Sequence, residues 1–232
     1  MRLISNPGRV AGLWYLLLIL LGPLRLIYIP NKLFVAGDAT VTVNNIAAHE
    51  WLFRLGIADD LVVALVLVFL TVAFYQLFAA TDRYLAVLIV VFGGIMPGVL
   101  YLTGAALDLG VISLVHGVPF LATFAAPQQH ALAMFLLKLH GLQNTSAETL
   151  WGAWMLPLGL LVWRSRLLPR FLGVWVVLGG VAYLVMSFTG VLAPQYSGRA
   201  FTLAQPFTFA EIGLTLWLLI RGSATTCVRT TP

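Results

Sequence analysis

Few side chains in this sequence can do ionic or acid–base chemistry, and most of them stand at the ends of long apolar runs. "RLGIADDLVVALVLVFL" begins at Arg54 and sets Asp59 and Asp60 directly ahead of an uncharged stretch that continues to Ala80. Asp108 closes the uncharged run that starts at Leu85, Lys138 and His140 stand in "LLKLHGL", and Arg25 follows Pro23 in "LGPLRLIY". At 1.5 Å per helical residue Arg25 lies about 24 Å beyond Arg9, which brings all of these groups to one depth. A guanidinium at that level can hold an anionic headgroup through two parallel hydrogen bonds. A carboxylate beside an imidazole can act as an acid–base pair. Arg25, Arg54, Asp108 and Lys138 are therefore candidate ligand-binding residues, and Asp60 and His140 candidate catalytic ones. Spacing limits their pairing: Glu50 and Arg54 are i,i+4 neighbours, whereas Arg54 and Asp60 point about 120° apart on a helix. Asp59 and Asp60 are expected in the first turns outside the hydrocarbon, wet or interfacial.

Glu211 is the third candidate catalytic group and its setting differs. In "FTLAQPFTFAEIGLTLWLLIR" about ten residues separate it from Arg221, which puts it near a bilayer midplane. An ionised acid there costs at least about 2.5 kcal/mol. It is expected to be protonated or paired inside a bundle, and the choice lies between a titrating group and a neutral acid bonded to a neighbouring helix.

Other chemistries find little. His49, His116, His130 and His140 show no HExxH-like spacing, so a metal site would need separate segments and none is assigned. No cofactor motif occurs, and the one cysteine, Cys227, excludes disulfide frameworks and cysteine metal sites. The basic residues behind the net charge of +5 are scattered through short connections and form no stripe for nucleic acid.

The elements that must position these groups follow from composition. Of 232 residues, 61% are hydrophobic and only 9% charged, more apolar surface than a soluble fold can hide. A lipid-embedded chain must satisfy its own backbone, through helices or a closed barrel. The apolar runs are continuous and about twenty residues long, which selects helices. The reading is all-α: a single transmembrane helical-bundle domain over residues 1–232 with six spans, at 10–31, 55–80, 85–112, 146–163, 171–192 and 203–220. Residues 32–54 and 113–145 form extracytoplasmic helical connections. The first span is taken as uncleaved.

With both termini cytoplasmic, Arg2, Arg9, Arg83, Arg164, Arg166, Arg170, Arg221 and Arg229 gather on one side, as the positive-inside rule requires. A seventh span within 109–142 is the alternative. It would reverse the C-terminus and spoil that asymmetry, so a protruding third helix, a turn near Pro127 and a long lead-in to the fourth are preferred. Gly94 and Gly98 make a small-residue face for close helix approach, and Pro97 is expected to bend its helix. "RVAGLW" and "RFLGVW" share Arg, Gly and Trp at matching places, which interfacial and packing needs explain.

Several stretches resemble the bacterial membrane-protein family catalogued as domain of unknown function 4386. They are "PNKLFVAGDATVTVNNIAAHEWLFRLGIADDL", with Gly37, Asp38, Asn45, Glu50, Arg54, Gly56 and Asp60, then "LKLHG" with His140 and Gly141. "LLPRFLGVWVVLGGVAYLVMSF", with Pro169, Arg170, Gly173 and Tyr183, and "FAEIGLTLWLLIRG", with Glu211, complete the pattern. The resemblance implies a multi-pass helical bundle of the bacterial inner membrane and carries no activity to transfer.

Three functions are weighed. The first is binding of, or action on, a lipid-like or small hydrophobic molecule at the outer leaflet through the polar cluster. The second is a small proton-coupled transporter using Glu211, for which Thr71, Gln76, Thr208 and Thr215 offer a thin polar track. The third is a non-catalytic membrane partner or assembly factor. Membrane lipids are the expected partners, with a homo-oligomer left open. Whether the chain is an enzyme is undecided at this level.

Overall fold

A computed structural model describes residues 6–224, so Arg2, Cys227 and Arg229 lie outside the described residues. The helices are α1 (Pro7–Leu33), α2 (Ala39–Ala48), α3 (Glu50–Phe78), α4 (Arg83–Val115), α5 (Ala126–Ser165), α6 (Arg170–Leu192) and α7 (Pro194–Ile220). Five of them, α1, α3, α4, α6 and α7, are long and apolar enough to cross a membrane. The lead-in expected before residue 146 is itself helical: α5 runs unbroken for 40 residues, about 60 Å at 1.5 Å per residue. Glu148 and the polar "QNTSAET" dilute its apolar character. The connection before α5 holds Gly117, with φ +61°, and a short 3₁₀ turn at Pro119–Leu121.

Two prolines shape the helices that carry charge. Pro30 and Pro97 cannot donate to the carbonyls four residues earlier, Leu26 and Gly93, and their rings crowd those oxygens. In both cases the backbone relieves this by widening to a π-helical turn, at Leu24–Tyr28 in α1 and Val90–Ile95 in α4. Arg25 sits on the first of these wide turns. The small-residue face works as expected. A Cβ on Gly98 would stand 3.5 Å from the Ala64 carbonyl oxygen, and one on Gly94 would stand 3.4 Å from that of Leu67, so α4 packs directly on α3. Gly12 and Gly173 serve the same purpose against Leu218 of α7 and Trp163 of α5.

One end of the bundle collects its connections. The Asn6 side-chain amide donates to the Ser223 carbonyl at 3.0 Å, the Ala224 N–H to the Leu167 carbonyl at 3.1 Å, and Arg164 pairs with Asp82 at 3.1 Å. Arg9, Arg83, Arg166, Arg170 and Arg221 lie at or near this end.

Two large apolar clusters fill the interior, beside a small third one of Ala182, Met186 and Ala204. The larger, around Tyr15, Leu70, Phe74, Phe78, Trp154 and Met155, occupies the arginine-rich half. The smaller joins Ile29, Phe53, Ile57, Val111, Ile112 and Leu137 at the far end, where α2 packs over it. This second cluster corrects the expectation for "ADDL": Asp59 and Asp60 are only 5% and 0% exposed. Apolar side chains from α1, α4 and α5 extend past them and close the end of the bundle, so the helix leaves the apolar interior later than hydropathy along α3 alone indicates.

Candidate functional site

Four helices deliver one ionisable group each to a point between the two large apolar clusters. The Arg25 Nε donates to Asp60 Oδ2 at 2.9 Å, and its Nη2 donates to Asp108 Oδ2. His140 places Nδ1 3.2 Å from Asp108 Oδ1 and 2.9 Å from Arg25 Nη2, with Nε2 3.9 Å from Asp60 Oδ2. None of the four is more than 6% exposed. Asp59, beside Asp60 in the chain, is buried too, and neither of its oxygens has a hydrogen-bond partner among the described residues; nor does Asp60 Oδ1. Charges so enclosed are costly unless paired, so the geometry is specified from all four helices at once.

Two glycines open the space. Gly56 precedes Asp60 by four residues and Gly104 precedes Asp108 by four, so each lies one turn along the same helix face as its aspartate. The Arg25 stem crosses Gly56: a Cβ there would meet Arg25 Cδ at 3.5 Å and Ile29 Cδ1 at 2.7 Å. The His140 ring lies on Gly104, where a Cβ would stand 2.8 Å from Cε1. The repeated Gly-x-x-x-Asp, in "GIADD" and "GAALD", is the signal that marks both positions in the sequence.

The remaining candidates lie elsewhere. Arg54 is exposed and bonds Glu50 at 2.6 Å, and His116 approaches the same carboxylate at 2.9 Å, so Arg54 does not join Asp60. Lys138 points away from His140 into a groove of about 710 Å³ between α5, α6 and α7, shared with Glu148, Met186 and Phe201. Glu211 forms a second polar centre: it accepts a hydrogen bond from the Tyr15 hydroxyl at 2.9 Å and lines a cavity of about 130 Å³. Tyr101, Trp151, Trp154 and Tyr183 face that cavity, Leu18, Gly22 and Leu67 complete it, and exposed Leu26 stands at its mouth. These aromatic partners carry no signal in a hydropathy profile that separates them from other interfacial or core aromatics.

The two centres are stacked. Leu67 and Tyr101, which line the cavity, are each seven residues from Asp60 and Asp108, on the arginine-rich side of them. Seven residues are two turns, about 10 Å along one helix face, so the ion cluster roofs the cavity.

The family model described as a domain of unknown function (DUF4386) matches residues 10–222. The chain belongs to this family. No curated protein and no solved structure matches the chain. As a DUF4386 member it is a helical protein with several helices fit for a membrane, of unestablished activity, and its chemistry rests on the two centres just described. The ion cluster can fix helices, hold a cation, or move a proton between imidazole and carboxylate. The Glu211 cavity can take an apolar molecule and hydrogen-bond one polar atom of it.

Proposed function

We propose that this protein is a six-span protein of the bacterial inner membrane that binds a small hydrophobic or lipid-like molecule in the cavity beside Glu211. The sixth span is α5, whose C-terminal half packs among the others. Both ends of the chain then lie on the cytoplasmic side, a reading supported by the Asn6–Ser223 contact and by the arginines around it. The observation that carries the binding proposal is the cavity: about 130 Å³ walled by two tryptophans and two tyrosines, with one carboxyl already held by a phenol. An apolar cavity of roughly 150 Å³ is large enough for a benzene-sized group, so the enclosed part takes the head or one segment of the ligand while the rest leaves past Leu26. The outer polar cluster, sealed by Ile29, Phe53 and Leu137, acts as the fixed roof of this site and not as its mouth.

Gly22 allows a clean test. It lines the cavity, and a Cβ added there meets nothing within 4 Å, so Gly22→Leu is the substitution chosen to occupy the site. The expected result is a molecule with one polar group, identified by mass spectrometry in extracts of the purified wild-type protein and absent from the Gly22→Leu protein. Extracts that match those of an unrelated membrane protein, or identical extracts from both variants, overturn the reading.

One observation favours proton-coupled transport as the second reading. The Thr215 hydroxyl, one turn cytoplasmic of Glu211, is buried without a hydrogen-bond partner among the described residues, as a group on a proton path would be. Proteoliposome flux that survives Glu211→Gln unchanged rules this reading out.

A further inference from the structure

We infer that Asp60, Asp108 and His140 form a binding site for one divalent transition-metal ion, zinc or manganese by donor chemistry, with Arg25 orienting the carboxylates. This goes beyond the cavity reading and does not depend on it.

The first argument is geometric. One ligand atom from each of the three residues lies within 4.8 Å of the other two, and all three side chains are buried. The donors come from α3, α4 and α5, so no local turn brings them together. A mixed set of one imidazole and two carboxylates suits zinc or manganese better than magnesium or calcium, which favour all-oxygen shells. Three protein donors leave a further position for water.

The second argument is the balance of charge. Asp60 and Asp108 are buried together and share the guanidinium of Arg25, and Asp59, next to Asp60 in the chain, is buried with no hydrogen-bond partner among the described residues. Ionised together, these carboxylates outnumber the guanidinium. A cation supplies the difference.

The third argument is an unused acceptor. Arg25 bonds the Oδ2 atoms of Asp60 and Asp108, His140 Nδ1 lies 3.2 Å from Asp108 Oδ1, and Asp60 Oδ1 is buried without a hydrogen-bond partner among the described residues. Holding one oxygen of a carboxylate by a hydrogen bond while the other is free is how outer residues orient metal ligands. Asp59, also without a partner among the described residues, adds a further buried acid beside Asp60.

The test uses the full chain in detergent micelles, stripped with a chelator, equilibrated with zinc chloride and desalted. The expected result is about one zinc per chain by elemental analysis, retained against an excess of magnesium or manganese. Cobalt loaded in its place should give the intense visible bands of a four- or five-coordinate ion. Asp108→Asn and His140→Gln should each weaken zinc binding at least about tenfold. A protein lacking the three histidines outside the cluster (His49→Gln, His116→Gln and His130→Gln) should bind as the wild type does. Wild-type zinc below about a tenth of an equivalent overturns the inference and assigns the charge balance to protons. Full binding in Asp108→Asn and His140→Gln, with loss in the triple-histidine variant, overturns it as well. If the two ligand variants do not fold, the cobalt spectrum of the wild type decides: bands of a six-coordinate aquo ion refute the site.

Discussion

The two buried polar centres of this bundle solve the problem of a carboxyl group in an apolar setting in opposite ways. At Arg25, Asp60, Asp108 and His140 the answer is more charge: four helices converge, and each ionic group is held by groups from other helices. At Glu211 the answer is less. A phenol from α1 donates to the carboxyl, the neighbours are aromatic, and space is left beside it. The first arrangement is intolerant of any missing partner, because a lone buried charge remains. The second tolerates change, since each of its contacts is worth about one neutral hydrogen bond. Rigidity belongs to the ionic layer and adaptability to the cavity beneath it, the division expected of a scaffold and a binding site.

The largest effect should come from Arg25→Leu, which leaves Asp60 and Asp108 buried without their guanidinium. A loss of about 3–5 kcal/mol is expected, seen as lower resistance to denaturant in micelles and poor recovery from the membrane. Wild-type stability in that variant would break the contrast between the centres. Gly104→Ala ranks next. Its Cβ would stand 2.8 Å from the His140 ring, and the displacement should cost about 1–3 kcal/mol by the same unfolding measurement. Gly56→Ala should cost less, because the close atom there is the terminal methyl of Ile29 and not a ring. At the cavity, Tyr15→Phe should lower stability by about 1 kcal/mol, and Glu211→Gln by less because its amide oxygen still accepts from Tyr15. A larger loss at Tyr15 than at Arg25 would invert the comparison. Smallest of all is Arg54→Ala: that side chain is exposed and its partner is a solvent-accessible Glu50, so the unfolding temperature should not move measurably.

Depth along each helix was legible in the sequence, and direction around it was not. Hydropathy set Arg25, Arg54, Asp60, Asp108, Lys138 and His140 at about one level, yet only four of them meet. Arg54 has a near partner at i−4 and stays with it, and Lys138 is two residues from His140, nearly opposite on the helix. Their common depth carries no information on which side of a helix faces a neighbour. Helices matched their apolar runs, but α5 begins at Ala126, twenty residues before the apolar stretch read as a span, because its first half buries Ala133, Leu137 and His140 against the other helices. Burial of Asp59 and Asp60 is not legible along α3, because the side chains that cover them belong to other helices. The Gly-x-x-x-Asp pairs are legible in the sequence. A small residue one turn from an acid is a place where another side chain can reach the acid, and twice in this chain it does.

The bond between Tyr15 and Glu211 joins residues 196 positions apart, the first helix to the last. During synthesis at about 5–20 residues per second, roughly 10–40 s separate their emergence. For that interval the Tyr15 phenol has no Glu211 to bond. The cavity cannot close until α7 arrives, because Glu211 is the one lining residue that α7 supplies, so every other wall must be held in place by contacts made earlier.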